Sequence, residues 1–506
     1  MIRRVALKLI AVGVLTGERF AGRAARSLSH RKTEKVVECF GRRSETRDMG
    51  THYRPYEPEQ AFLLPPSLRD WLPEDHLVYF ISDTIDQLDL SAFHLRYRGD
   101  GRRHQPYHPT MLAKVLIYAY ATGVFSSRKI AAKLVDDVAL RLLAAGNRPD
   151  FRAINRFRQQ HLETFSKLFV KVVQLARKMG LVKLGTVALD GTKIKANASK
   201  HKAMSHQRRR EEEQRLEEEI QQLLEKARQT DAAEDQLHGP DKSGDEWPPE
   251  LQRREQRREK IREAKQALEQ EQAAADRAKG RSPGDDRVAG GERPQGGRSK
   301  FKREFGEPEP SAQRNFSDPE SRIMKSKQSF EQCYNAQAVV EEGKQLIVAQ
   351  QVGQNAADNV PLIEMVDQVE RNTGSKPGCL LAEAGYPSEE NFLALEERKI
   401  EGIVALQRES KADKEKKEKK KKKENSKTGG AASERMAKRL EQQRGKRQYA
   451  RRKGMVEPAF GWVKQVLGFR QFSLRGLKKV QGEWSLVTLA LNLRRMARME
   501  AVPTAA

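Results

Sequence analysis

Three acidic residues stand where carboxylates can converge on metal ions. Asp190 ends the apolar run LGTVALDG, Glu383 lies near the end of the run CLLAEAG, and Glu457 lies in a helical segment near the carboxyl end. Short apolar runs of this kind are typical of buried strands. Neighbouring strand ends, with a helix packed across them, can hold carboxylates around two divalent cations that stabilise the attacking and leaving oxygens of a phosphodiester. Such hard ligands favour Mg²⁺, and Mn²⁺ can substitute.

These acids lie in a region where strands and helices alternate. Apolar runs predict the strands, and amphipathic segments predict the helices between them. The order is strand, insertion, strand, strand, helix, strand, helix, strand, which predicts an α/β domain of the ribonuclease H-like type over residues 181–497. The predicted strands cover 184–191, 332–342, 344–353, 379–385 and 402–406, and the helices cover 358–371 and 388–398.

A charged insertion, residues 205–312, separates the first strand from the rest of this domain. It is at first rich in Glu, Arg, Gln and Ala, and apolar residues recur in it at steps of three and four. This spacing predicts an antiparallel helical hairpin with a narrow apolar seam, and a solvated charged helix is the alternative. The Gly-, Pro- and Arg-rich range 279–312 is expected to be disordered. The seam residues are Leu216, Ile220, Leu223, Ala227, Ile261, Ala264 and Leu268.

A second insertion, residues 408–447, is dominated by lysine and includes KEKKEKKKKKE at 414–424. It is expected to be mobile, with the next ordered element opening near residue 449. Such a run attracts phosphate nonspecifically and in a salt-sensitive way. The alternative is a solvated insert without a binding role.

Residues 49–180 predict an all-α domain at the amino end. A long apolar helix at 111–126 is followed by amphipathic helices at 126–146 and 148–180. A short Gly-Asn-Arg-Pro turn joins the last two, and basic residues open the second, as in a helix-turn-helix that binds DNA. An ordinary helical bundle is the alternative. The candidate DNA contacts in this region are Arg128, Arg152, Arg156 and Arg158.

The composition favours a polyanionic partner. The chain has 96 Lys and Arg residues against 70 Asp and Glu residues, a net charge of +26, and a solvated charged protein is the alternative.

No apolar run is long enough to cross a bilayer. Cys39, Cys333 and Cys379 are widely separated, which argues against a disulfide framework or a structural zinc site and favours a reducing cytoplasm. Residues 1–48 are interpreted as a disordered leader or an upstream translation start, with a fresh beginning at Met49.

Several blocks match one family in order along the chain. They are YHPTMLAKVLIYAYATGVFSSRKI (107–130), RPDFRAINRFRQQH (148–161), ALDGTKIKANASKHKAMS (188–205), SDPESRIMK (317–325), CYNAQAVV (333–340), LAEAGYPSEEN (381–391) and YARRKGMVEPAFGWVKQVLGFRQFSLRGLKKVQGEW (449–484). Together they resemble DDE transposases of bacterial insertion sequences, from Met49 to about residue 497. The resemblance implies a ribonuclease H-like fold, dependence on Mg²⁺, and a homodimer on double-stranded DNA. It also implies recognition of terminal inverted repeats, followed by cleavage and strand transfer.

The resemblance assigns the three acids their places. Asp190 in LDGT matches the first catalytic Asp, and Glu457 in VEPAFGWVK matches the catalytic Glu. The second acid of the family is an Asp in a Leu-Ala-Asp-Ala-Gly-Tyr context, where this chain has Glu383. The extra methylene moves the ligand by more than Mg²⁺ geometry readily tolerates, which predicts a weakened or inactive enzyme. Asp358 and Asp367 lie in an expected surface helix and are interpreted as solvated.

A basic signature surrounds the last acid. Tyr449, Arg452 and Lys464 approximate the Tyr–Arg–Glu–Lys signature of the family, although the Arg-to-Glu interval is one residue longer unless Lys453 takes the Arg place. The resemblance makes these three residues candidate DNA contacts. Lys464 follows Glu457 by two helical turns, so both are expected on one side of the helix, with the lysine near a DNA phosphate.

The segment after this helix, RQFSLRGLKK, carries two further candidate DNA contacts. Arg470 and Arg475 follow the catalytic helix and are expected to meet the DNA backbone near the cut. Trp484 is expected to pack the terminal helix rather than to stack on a base.

Overall fold

A mixed sheet preceded by helices is the framework of the chain. The computed structural model describes residues 67–97, 106–199, 203–238, 249–283, 303–310, 312–326, 329–355, 362–406 and 430–500. They belong to one compact unit that begins at Pro66. The leader predicted at 1–48, the start at Met49, the lysine run at 414–424 and Asp358 lie outside the described residues.

The amino-terminal region is helical, as predicted, but its helices are shorter than expected. The helix expected at 126–146 is interrupted at Asp137, whose backbone is extended and whose carboxylate caps the next helix by accepting from Leu140 N at 3.0 Å. The helix expected at 148–180 is interrupted at His161. The described helices are α1 (Leu77–Asp86), α2 (Ser91–His94), α3 (Pro109–Ala121), α4 (Ser127–Asp136), α5 (Val138–Leu143), α6 (Phe151–Gln160) and α7 (Leu162–Lys178).

Six strands form one mixed sheet. Strand β1 pairs antiparallel with β5 and parallel with β7, and β7 pairs parallel with β8. The far edge of β5 pairs antiparallel with β4 and β6. This arrangement confirms the predicted α/β fold of the ribonuclease H-like type and adds β4, which the sequence patterns did not indicate. The strands are β1 (Thr186–Lys195), β4 (Arg322–Ser326), β5 (Ser329–Glu341), β6 (Ile347–Gly353), β7 (Cys379–Ala382) and β8 (Glu401–Val404), with β2 (Ala203–Ser205) and β3 (Gln313–Asn315) paired separately.

The last helix, α14 (Leu477–Glu500), packs the helical region onto the sheet. It contacts α3 and α7 of the helical region and β6 of the sheet. Gly482 permits the close approach to α7, because a Cβ there would lie 2.5 Å from Leu162 Cβ. Trp484 is fully buried, and its Nε1 donates to Gln337 O at 3.1 Å. The predicted packing role of Trp484 is therefore confirmed. Among the helices that the structure describes, none is long and apolar enough to cross a membrane.

The charged insertion forms the predicted hairpin, α8 (His206–His238) against α9 (Pro249–Ala278). The expectation of disorder after α9 is wrong for the described part of 279–312. There, the Arg281 guanidinium pairs with the buried Asp276 carboxylate at 3.1 Å, and Gly306 N donates to the same carboxylate at 3.1 Å. The buried residues of the seam are Leu216, Ile220, Ile261 and Leu268.

The lysine-rich insertion is shorter than expected, because the chain is ordered again from residue 430. Helix α12 (Ala431–Glu441) buries Met436 against β8, and the Glu389 carboxylate accepts from Ala432 N at 2.8 Å and from Ser433 N at 3.0 Å. Helix α13 (Gln443–Gly461) therefore begins before residue 449 and continues into a π-helical turn (Trp462–Val466). The other helices of this domain are α10 (Leu362–Thr373) and α11 (Glu389–Glu397).

Replacing Trp484 tests the junction between the helices and the sheet. Trp484→Ala leaves a cavity and an unpaired Gln337 carbonyl, so the free energy of unfolding should fall by about 3–5 kcal/mol. Urea unfolding followed by circular dichroism measures this loss. Lys478→Ala, on the exposed first turn of the same helix, should change the free energy by less than about 0.5 kcal/mol. Equal effects of the two substitutions would contradict the packing role.

Candidate active site

The register of the sheet brings two of the predicted acids together. Leu189 of β1 pairs with Ala382 of β7 in parallel register, so the next residues along the two strands are Asp190 and Glu383. Because the strands run in the same direction, both carboxylates lie just beyond the carboxyl end of the paired stretch. Strand β1 itself continues to Lys195, four residues beyond the strand end expected at 191. The convergence expected from the apolar runs is therefore seen for these two residues.

Arg452 of α13 lies between these acids. Its Nη1 donates to Asp190 Oδ2 at 2.8 Å, and its Nη2 donates to Glu383 Oε1 at 3.4 Å. The Arg452 side chain is 4% exposed, whereas that of Glu383 is 43% exposed. The Tyr449 ring, one turn earlier, has its centre 5.7 Å from the guanidinium carbon. In this conformation the Arg452 side chain is buried against the two acids, and its contact with DNA stays a prediction.

The environment of Asp190 favours its neutral form. Burial is the main cause that raises the pKa of Asp190 to about 6, and the nearby Glu383 carboxylate raises it further. The Arg452 guanidinium and the Gly191 backbone N–H act in the opposite direction, because both stabilise the ionised carboxylate. Asp190 therefore gains a proton more readily than an exposed aspartate does.

Glu457 and Lys464 do not join this cluster. Glu457 is exposed on α13, and among the described residues no group of three or more His, Cys, Asp or Glu side chains is placed to hold a metal ion. Lys464 lies in the π-helical turn, where Nζ donates to Thr192 Oγ1 and to Lys193 O. The two-turn spacing expected of a regular α-helix is therefore lost. Lys464 instead meets β1 two residues beyond Asp190.

The candidate DNA contacts of the helical region divide into exposed and buried arginines. Arg158 is 4% exposed, and its Nη1 donates to Tyr120 Oη at 2.9 Å and lies 4.0 Å from the Glu483 carboxylate. Its expected role as a DNA contact is therefore wrong in this structure. The exposed arginines are Arg128, Arg152 and Arg156.

Phe151 is a surface residue that the sequence patterns did not indicate. It is 37% exposed, and the guanidinium carbons of Arg128 and Arg152 lie 5.2 and 5.7 Å from the centre of its ring. The signal available in the sequence is its position within the arginine-rich block RPDFRAINRFR. An aromatic ring among arginines is a surface that suits nucleic acid.

The loop that carries Arg470 and Arg475 is fixed beside β1. Gln471 forms a parallel β-bridge with Lys195, and the Arg475 Nε donates a hydrogen bond to Asn197 O at 2.8 Å. Both arginines are exposed. They lie beside the end of the strand that carries Asp190, and their contact with DNA near the cut stays a prediction.

Two buried acids that the sequence patterns missed hold this loop. The Glu483 carboxylate accepts from Ser473 N at 2.9 Å and Leu474 N at 3.0 Å, and the Asp318 carboxylate accepts from Gly476 N at 3.1 Å. Asp318 lies in SDPESRIMK, a block that could have indicated it. Carboxylates that accept from several backbone N–H groups fix a loop strongly.

The acids fit a divalent cation by type and by direction. Asp190 and Glu383 offer hard oxygen ligands, and both point at one cation, which in this structure is the Arg452 guanidinium. Mg²⁺ commonly takes one or two carboxylates and completes its shell with water and substrate oxygens. Asp367 is not part of the site, because its carboxylate pairs with Arg398 at 3.0 Å.

Comparison with known families covers much of the chain. Residues 304–493 match the family model described as Transposase DDE domain, and residues 66–160 match that described as Transposase domain (DUF772). Strand β1, with Asp190, and the charged hairpin lie between the two matched segments. No curated protein and no solved structure matches the chain.

The raised pKa of Asp190 predicts a pH-dependent stability. The ordinary value is 3.8 and the folded value about 6, so the neutral carboxyl stabilises the folded chain below pH 4, and this contribution is lost as the pH rises to 6. The unfolding free energy of the unsubstituted chain minus that of Asp190→Asn should therefore fall by roughly 2–3 kcal/mol from pH 4 to pH 7. Urea titrations with a chelator present measure the difference, and a flat profile would contradict the prediction.

Proposed function

Because the chain belongs to the DDE transposases, we propose that it cleaves and joins double-stranded DNA at the terminal inverted repeats of its own insertion sequence, in a reaction that requires Mg²⁺. One observation carries the proposal. Asp190 and Glu383, at the same end of the parallel pairing of β1 with β7, both accept hydrogen bonds from one cationic group, the Arg452 guanidinium.

The proposed ligands come from three elements. Asp190 is supplied by β1, Glu383 by the end of β7, and Glu457 by the exposed side of α13. When bound, Mg²⁺ supplies charge stabilisation to the attacking and leaving oxygens of the phosphodiester. Mn²⁺, whose ligand preferences are similar, would substitute. The Lys464 ammonium, held at Thr192, adds positive charge beside Asp190 for a phosphate that reaches the site.

The proposed DNA surface combines two exposed groups of arginines. Arg128, Arg152 and Arg156 are exposed on and beside the first turns of α6. Arg470 and Arg475 lie on the loop fixed beside β1. A helix-turn-helix contact by α4 to α6 would read the repeat, and the loop would hold the backbone near the cut. A homodimer would act on the two ends, because each chain supplies one set of acids.

A DNA-binding protein that no longer cleaves is the second candidate function. Glu383 in the place of Asp, the guanidinium between the acids and the separate position of Glu457 favour it. Specific binding to the repeats without cleavage in Mg²⁺ or Mn²⁺ would support this reading.

Substitution of the acids tests the catalytic proposal. Asp190→Ala and Glu457→Ala should abolish divalent-dependent cleavage of a duplex that carries the chain's flanking repeats, and DNA affinity should persist. Glu383→Asp should increase cleavage, because it restores the shorter ligand. Gel analysis of end-labelled duplex gives the rates, and fluorescence anisotropy gives the affinities.

Glu390→Asp, an exposed glutamate on α11, is the matched control and should leave cleavage unchanged. Lower activity of Glu383→Asp would mean that the site has adapted to glutamate. Intact cleavage by Glu383→Ala would remove Glu383 from the ligands.

The exposed arginines of α6 should set the salt dependence of binding. Each phosphate contact contributes about −0.9 to the slope of log affinity against log salt, so the double change Arg152→Ala, Arg156→Ala should reduce that slope by roughly 2 units. Anisotropy across a salt series measures it. The pair Lys376→Ala, Lys399→Ala, matched in charge but on loops before β7 and β8, is the control. An unchanged slope for the arginine pair would place the DNA elsewhere, and a greater loss on the repeats than on random duplex would indicate base contacts.

A further inference from the structure

The Arg452 guanidinium occupies the position on which the two acids converge. Its two terminal nitrogens donate to different carboxylates, one at 2.8 Å to Asp190 and one at 3.4 Å to Glu383. The side chain is nearly enclosed, at 4% exposure. The fork of one guanidinium thus uses the oxygens that a divalent ion would need.

The guanidinium and a divalent ion cannot share this place. Both are positive, so they repel one another at this short range. The guanidinium already holds one oxygen of each carboxylate, Asp190 Oδ2 and Glu383 Oε1. If Arg452 lost both carboxylates to a metal ion while it stayed enclosed, its charge would be buried without a partner, which is energetically costly. A divalent ion can therefore bind Asp190 and Glu383 only if the Arg452 guanidinium moves to another anionic partner.

DNA offers the arginine a new partner. Glu383 is 43% exposed, so the ion pair with Arg452 borders solvent on that side. Lys464 lies beside Thr192 and Lys193, and the loop that carries Arg470 and Arg475 lies beside the end of β1. These positive side chains attract phosphate to the stretch that follows Asp190. A phosphate accepts both nitrogens of a guanidinium in the bidentate manner of a carboxylate.

We propose that Arg452 closes the cation site in the DNA-free chain and transfers to a DNA phosphate when the duplex binds, so that the divalent ion loads only on the DNA complex. The proposal rests on the proposed function, because it takes Asp190 and Glu383 as the ligands. Arg452 is then a positioning residue that couples two ligands, DNA and cation, through competition for the same carboxylates.

The experiment measures Mn²⁺ binding by the full chain, with free Mn²⁺ detected by electron paramagnetic resonance. Without DNA, Arg452→Gln should bind Mn²⁺ more tightly than the unsubstituted chain by roughly ten- to a hundredfold, the usual range for coupled ligands. Arg452→Lys, which keeps the charge, should remain weak. Addition of the repeat duplex should strengthen Mn²⁺ binding by the unsubstituted chain and have little effect on Arg452→Gln.

Matched variants identify the site that is measured. Arg451→Gln removes the neighbouring, exposed arginine and should leave Mn²⁺ affinity unchanged. Asp190→Asn, with and without DNA, corrects for Mn²⁺ bound by the duplex or elsewhere on the chain. Mn²⁺ should also raise the melting temperature of Arg452→Gln more than that of the unsubstituted chain, which shows that the variant is folded.

The outcomes separate the two proposals. Tight Mn²⁺ binding by the DNA-free unsubstituted chain, or equal affinities of it and Arg452→Gln, would overturn the competition and leave the proposed function intact. Mn²⁺ binding that Asp190→Asn does not weaken in any state would instead remove the proposed ligands and the function with them. By linkage, Mn²⁺ should tighten DNA binding by the same factor as DNA tightens Mn²⁺ binding, and a mismatch would contradict the coupling.

Discussion

The parallel pairing of β1 with β7 is the constraint on which the site depends. It places Asp190 beside Glu383 although a long charged insertion and three other strands of the sheet separate them along the chain. The chain enters the insertion through β2 and leaves it through β3, which pair with each other. The helical hairpin is therefore inserted outside the main sheet and does not interrupt its pairing. A closing loop of this length costs little more entropy than a shorter one, since the cost rises only with the logarithm of length. The fold therefore tolerates the insertion and keeps the two carboxylates together.

A second constraint links the helical region to the loop beside the site. Glu483 on α14 accepts from the backbone of that loop and from the Tyr120 hydroxyl of α3, and Arg158 of α6 donates to the same hydroxyl. These buried polar groups are costly unless they are paired, so they define one arrangement of the three elements. The helix whose outer face carries Arg152 and Arg156 is thus joined, through its inner face, to the loop that carries Arg470 and Arg475. The two surfaces that are proposed to bind DNA are therefore held in one fixed arrangement.

The two acids and the Arg452 guanidinium form one electrostatic unit. Burial makes the Asp190 charge costly, and a cation offsets that cost, whether it is an arginine side chain or a divalent ion. A site that contains the buried Asp190 carboxylate is therefore less stable without a cation, and the Arg452 side chain supplies that cation in this structure. This explains why the residue most strongly associated with the acids is basic.

The sequence by itself determined the order of the main strands and helices, although not β4 or α12, and the residue types at the site. The apolar runs before Asp190 and Glu383 predict strands because strands covered on both faces are continuously apolar, and the seam of the hairpin follows from helical spacing. The amino-terminal helices were predicted in kind but not in length, because the Asp137 side chain caps a helix that the apolar pattern would have continued.

Only the tertiary structure decided which basic residues are buried. Arg152, Arg156 and Arg158 look alike in sequence, yet Arg158 is enclosed because Tyr120 and Glu483, distant along the chain, pair with it. Arg452 is likewise enclosed by acids from two strands. Burial and ion pairing depend on segments that are far apart in sequence, so they cannot be predicted from local sequence patterns.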